Sequence, residues 1–186
     1  MKIAVLAWGS LVWDKCELAI TGDWQTNGPV LPIEFSRVSR DGRLTLVIDP
    51  QNGVAVTTRF ARSELANLND AIANLRSREA NPLVDRIGYL NLVSNTEREW
   101  SRQNHPDACD TIKAWAQVNN WQAVVWTALI SNFESNGRPP FSVPAAVAYV
   151  NNLGDLEKSK AIEYVRRAPA EVDTPVRRAL AVAQII

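Results

Sequence analysis

Leu31-Pro-Ile-Glu-Phe-Ser-Arg-Val38, Arg40-Asp-Gly42, Leu44-Thr-Leu-Val-Ile48 and Val54-Ala-Val-Thr-Thr-Arg-Phe60 together decide the fold class. In the first segment Leu31, Ile33 and Phe35 fall on one side, the two-residue period of a strand. Asp41-Gly42 is a favoured hairpin dipeptide, and residues 44–48 read as the return strand. Asp49-Pro-Gln-Asn-Gly53 is a further turn, followed by a third strand over 54–60. Three sequential strands joined by short turns predict an antiparallel meander, not βαβ units.

Toward the N-terminus, Lys2-Ile-Ala-Val-Leu-Ala-Trp8 is apolar without a helical period and is closed by Gly9-Ser10, which predicts a buried strand. Residues 14–28 read as a loop, with turn signals at Gly22 and Asn27-Gly28. Toward the C-terminus, Ser63 is a candidate N-cap for a helix reaching Arg78, with Leu65, Leu68, Ile72 and Leu75 at helical spacing and a stop at Asn81-Pro82. A strand follows over 86–93 with Gly88 inside it. A helix over 107–119 carries Ala108, Ile112, Trp115 and Val118 on one face, and 121–130 is a strongly apolar strand. Helices over 145–152, 156–167 and from Pro175 onward complete an α+β pattern on a mixed or antiparallel sheet.

The chain has 186 residues, 46% apolar and 22% charged, with 20 basic and 20 acidic side chains. That length predicts one domain over 1–186 with a full core. A zero net charge argues against nucleic-acid binding, which usually shows a basic stripe. Two cysteines, Cys16 and Cys109, form no disulfide framework and fit a reducing compartment. A single histidine, His105, leaves no His/Cys metal site of usual spacing and one possible partner for a Ser or Cys nucleophile. Proton transfers in an enzyme of this composition would fall to carboxylates, tyrosine or backbone groups. No targeting or membrane-spanning stretch is expected, so the reading is cytoplasmic, with no membrane partner.

Two elements could carry chemistry. Gly9-Ser10, at the end of a buried strand, lets the backbone turn sharply and present successive N–H groups, a concave array suited to a carboxylate or phosphate. The alternative is an ordinary structural turn. Glu79 continues the stripe of Leu68, Ile72 and Leu75, while Arg76 and Arg78 point elsewhere. A carboxylate facing the interior at a helix C-terminus is disfavoured as an anion, which raises its pKa toward that of a general base. The alternative is a frayed helix end with Glu79 in solvent or paired with an arginine.

Trp8-Gly9-Ser10-Leu11 resembles the Tyr-Gly-Ser-Leu motif of the gamma-glutamylcyclotransferase superfamily, and Leu75-Arg-Ser-Arg-Glu79 is similar to the segment around that family's catalytic glutamate. The resemblance covers residues 1–93 and the strand around 124–126. It implies a barrel-like sheet with flanking helices over 1–135, and a C-terminal helical extension over 140–186 that has no counterpart in the family. It also implies Glu79 as general acid/base, Gly9, Ser10 and Leu11 as the carboxylate-binding loop, and Trp8 and Tyr89 lining the pocket. Trp8 stands where the family has Tyr, and Ala80-Asn81-Pro82 follows Glu79 where relatives often have Gly. The activity implied is conversion of a gamma-glutamyl amide to 5-oxoproline with release of an amine. The partner is then a small molecule bearing a carboxylate, with no metal and no cofactor.

Trp13 joins Trp8 as a second candidate wall of the loop. Glu34 lies opposite Ile33 and Phe35, so it reads as a solvent-facing strand residue, or in a closed barrel as an inward reserve acid or base. Trp100, Trp115, Trp121 and Trp126 read as core. Arg37 reads as solvated, or within reach of an anionic ligand. A second functional reading keeps the pocket without catalysis, as a small-molecule or partner-binding module.

Overall fold

The computed structural model describes residues 1–79, 83–135 and 137–186. The helix stop at Asn81-Pro82, and Ala80 beside it, lie outside the described residues. In chain order the strands are β1 (Ile3–Ala7), β2 (Ile20–Gln25), β3 (Val30–Val38), β4 (Leu44–Ile48), β5 (Val54–Thr57), β6 (Arg59–Ser63), β7 (Ile87–Asn91), β8 (Thr96–Glu97) and β9 (Ala123–Thr127). The helices are α1 (Leu68–Arg78), α2 (Glu99–Asn104), α3 (Pro106–Val118), α4 (Val143–Asn151), α5 (Asp155–Arg167) and α6 (Pro175–Val182). The chain is α+β and divides into two compact units, residues 1–31 with 57–129 and residues 32–56 with 130–186.

The first unit holds a six-stranded mixed sheet in the order β2-β6-β1-β9-β7-β8. β1 pairs parallel with β9 and antiparallel with β6. The order ends on β2 and β8, so this sheet is open where a barrel-like sheet was expected. α1 covers one face: Ala71, Ile72 and Leu75 pack on Ile3, Val5, Ala7, Ala61, Ile87 and Val125. Phe60, on the opposite side of β6 from Ala61, meets the Trp115 ring of α3 at 5.0 Å, which places α3 on the other face. There Gly88 stands opposite Trp126, and a Cβ at Gly88 would lie 2.3 Å from the indole, so only glycine fits. Trp126 and Trp121 are buried as expected, whereas Trp100 and Trp115 are only half-buried and Val118 at the end of α3 is exposed.

Three local expectations are corrected. Residues 14–28 contain the strand β2, whose Ile20 pairs with Ser63 and Thr21 with Arg62. Ser63 therefore belongs to β6, and α1 starts later: the Asn67 side chain caps it, accepting from Asn69 N–H at 2.8 Å. The run 54–60 is two strands. Thr58 breaks it, donating its hydroxyl to Pro29 O at 2.7 Å and accepting at its carbonyl from Gly28 N–H at 3.0 Å.

The second unit holds the three-stranded sheet β4-β3-β5. β5 lies beyond β3, not beside β4, so residues 31–57 are not a meander. α5 packs on β4, and α4 on α6. Phe35 meets the Tyr164 ring edge-on at 6.3 Å. Ile33, Glu34, Phe35 and Ser36 are all buried, so this central strand is covered on both faces and Glu34 does not face solvent. Arg37 donates to Ile130 O at 2.8 Å, so it is not merely solvated. No helix among the described residues is long and apolar enough to cross a membrane.

Candidate active site

β1 is a run of five buried residues, and its apolar pairing ends where Gly9 lets the chain turn, with φ −123° and ψ −140°. Ser10–Val12 form one 3-10 turn, closed by Val12 N–H donating to Gly9 O at 3.0 Å. Leu11 is buried in the cluster that also holds Ile72 and Leu75, so the loop and α1 are pinned by one core. Trp13 N–H and Asp14 N–H both donate to Ser10 O. Among the described residues nothing accepts from the N–H groups of Gly9, Ser10 or Leu11. Three consecutive donors are thereby left for a ligand or water, which is the donor set an anion needs.

α1 delivers the second half of the site. Leu75, fully buried, fixes its last turn, and Glu79 closes the helix with its N–H donating to Leu75 O at 3.0 Å. The Glu79 side chain keeps 17% of its surface exposed, neither sealed nor free. Burial pushes its carboxyl above the ordinary carboxylate value, and the Arg78 guanidinium works against that rise.

Arg78 is the residue that connects the two halves. Its Nη1 donates to Glu79 Oε1 at 2.9 Å, and its Nη2 to Ser10 Oγ at 3.4 Å. Nε donates to Asp14 O at 3.0 Å, and Nη2 reaches the same carbonyl. The carboxylate of Glu79 and the hydroxyl of Ser10 are thus separated by a single guanidinium, close enough for one small molecule to touch both. Helical periodicity put Arg78 off the buried stripe. Its long side chain instead folds back along the helix end and is itself only 9% exposed. The sequence signal was the Arg-Glu pair, read for its glutamate alone.

The other expected residues distribute unevenly. Tyr89 lies on the α1 side of β7, half-buried against the same core, with the Arg98 guanidinium 4.9 Å over its ring. Trp8 is 6% exposed, so it offers a ligand almost no surface. Trp13 is half-buried at the end of the 3-10 turn. Glu34 is committed inside the second unit: Phe35 N–H donates to one oxygen at 2.7 Å, Val176 N–H to the other at 3.5 Å, and Thr174 also bonds to it. Burial raises its carboxyl as well, but it is a buried cap of α6, not an accessible acid.

Neither thiol is primed as a nucleophile. The Asp14 carboxylate, accepting from Cys16 Sγ, raises that thiol, and burial pushes Cys109 up to about 11. His105 is buried between α2 and α3. Among the described residues no group of three or more His, Cys, Asp or Glu side chains could hold a metal ion. In comparisons with protein-family models, curated proteins and solved structures, none matches this chain.

Proposed function

We propose that the chain is a gamma-glutamylcyclotransferase-like enzyme that closes a gamma-glutamyl amide on itself, giving 5-oxoproline and a free amine. The observation that carries this reading is the Arg78 bridge between the Glu79 carboxylate and Ser10 of the loop. Its support is that the Glu79 carboxyl, raised by burial, is linked through that guanidinium to a loop whose three N–H groups have no acceptor among the described residues.

The chemistry asks little else of the protein. The N–H groups of Gly9, Ser10 and Leu11 hold the substrate's α-carboxylate. Glu79 takes a proton from the α-ammonium, and the freed amine attacks the substrate's own gamma carbonyl. A C–N bond forms to close a five-membered lactam, and the original amide C–N bond breaks. Glu79 gives that proton to the departing nitrogen, and the second proton shed by the ring nitrogen as the lactam forms leaves with the amine as its ammonium, so protons balance and no water or electron is consumed. Holding the bent conformer contributes by proximity, and the positioned carboxylate by general acid–base catalysis. Tyr89 would line the pocket. The substrate is a small molecule with a carboxylate, and the reading assigns no nucleic acid, membrane, metal or cofactor to the reaction.

The test is release of 5-oxoproline from a panel of gamma-glutamyl dipeptides and amines. Release by the wild type with full rate retained in Glu79→Gln would overturn the assignment of the base. A ligand-dependent rise in Tm with no turnover would overturn catalysis and leave a binding module.

A further inference from the structure

We propose that Arg78 is a positioning residue for the base: one guanidinium holds Glu79 Oε1 at 2.9 Å and the Ser10 hydroxyl at 3.4 Å, fixing the carboxylate against the loop. This rests on the cyclisation reading of the same site.

The geometry gives Arg78 two separable tasks. Its first is directional. Glu79 follows the last turn of α1, where a side chain has several rotamers, and the ion pair selects one. The guanidinium is in turn fixed by Asp14 O, so its own freedom is already spent before substrate arrives.

Its second task is electrostatic. Glu79 stands at the C-terminal end of α1, where the helix dipole disfavours an anion, and burial disfavours it further. A base must be ionised when the substrate ammonium arrives. Other titratable groups lie on the elements next to α1 and the loop. Asp14, Cys16 and Glu17 follow the Ser10–Val12 turn, Asp85 and Arg86 lie on a second 3-10 turn, Val84–Arg86, that packs against α1, and Tyr89 lies on β7. Of all these charges, Arg78 is the one that acts on the Glu79 carboxyl, and it favours the ionised form. Asp14 acts on Arg78, at 3.9 Å from Nη2.

The experiment compares wild type with Arg78→Gln, Arg78→Lys and Ser10→Ala, after circular dichroism shows each to be folded. Two readouts are followed. One is the pH profile of 5-oxoproline release. The other is the titration of the Glu79 carboxyl by carbon NMR, assigned by its loss in Glu79→Gln. In Arg78→Gln the acid limb and the carboxyl titration should both move to higher pH, and kcat should fall by ~10²-fold with KM less affected. Arg78→Lys keeps the charge but not the fork, so it should restore the titration more fully than kcat. Ser10→Ala should lower kcat without moving either titration, and it serves alone if Arg78→Gln does not fold. An acid limb and a carboxyl titration that stay at their wild-type positions in Arg78→Gln overturn the proposal. A shifted titration in a protein that releases no 5-oxoproline sustains the hold of Arg78 on Glu79 and removes the cyclisation reading instead.

Discussion

Glu34 and Glu79 are both carboxyls raised by burial, yet they sit at opposite ends of helices. Glu34 meets the N-terminus of α6, where the dipole and the Val176 N–H favour its charge. Glu79 closes the C-terminus of α1, where the dipole opposes it and a guanidinium compensates. Glu34 is completely enclosed and its oxygens are satisfied by Phe35, Val176 and Thr174. Glu79 remains partly open, next to N–H groups that have no acceptor among the described residues. A raised carboxyl therefore does not by itself mark a catalytic group. Access, and nearby N–H groups with no acceptor among the described residues, distinguish Glu79 from the buried cap Glu34.

The sharpest way to break this contrast is to neutralise each carboxyl in turn. On the proposed cyclisation, Glu79→Gln removes the proton acceptor while keeping the shape, and is expected to lower 5-oxoproline release by about 10²–10⁴-fold. Its Tm should change little, because the amide can still bond to neighbours. A variant that instead melts early and retains its rate would reverse the roles of the two glutamates.

Glu34→Ala carries the next effect, with the opposite signature. It strips the acceptor from Phe35 N–H, Val176 N–H and the Thr174 hydroxyl inside a closed core. Orphaned buried donors cost about 1–3 kcal/mol, so urea unfolding should show a loss of that order, with turnover of the folded protein unchanged. A stability equal to wild type would mean that water enters and replaces the carboxylate.

How far each glutamate was legible follows from the same comparison. The stripe of Leu68, Ile72 and Leu75 led to Glu79 because one helix face meets one core. Alternation put Glu34 opposite Ile33 and Phe35, and so in solvent. That inference assumes a strand with one wet face, and β3 is covered on both. The donors that satisfy Glu34 come from residues 174 and 176, far along the chain, where no local pattern announces them. β2 was read as a loop because only Ile20 of its six residues is buried; it is held by backbone bonds to β6, which leave no side-chain period. The partition of 54–60 was likewise invisible, since the break depends on Thr58 bonding back to Pro29 and Gly28. Ser63 and Asn67 are both good caps in sequence, and the pairing of β6 decides between them.

A third prediction exchanges only a proton and has the smallest effect. Burial raises both carboxyls above their ordinary 4.5 in the folded chain, more than hydrogen bonds or Arg78 lower them. A carboxyl that holds its proton more tightly when folded stabilises the fold fully below its unfolded pKa. That contribution is lost as pH rises through the folded pKa. Relative to Glu34→Gln, the unfolding free energy of the wild type should therefore fall as pH rises from 4.5 into the raised range, by at most about 1.4 kcal/mol per pH unit. Glu79→Gln should remove a separate part of the same slope, and the double variant both. Urea unfolding across a pH series reads this directly. A wild-type advantage that grows with pH at Glu34 would mean that the α6 N-terminus, Thr174 and the Phe35 N–H hold its carboxylate charged against burial. The two glutamates would then differ in sign as well as in access.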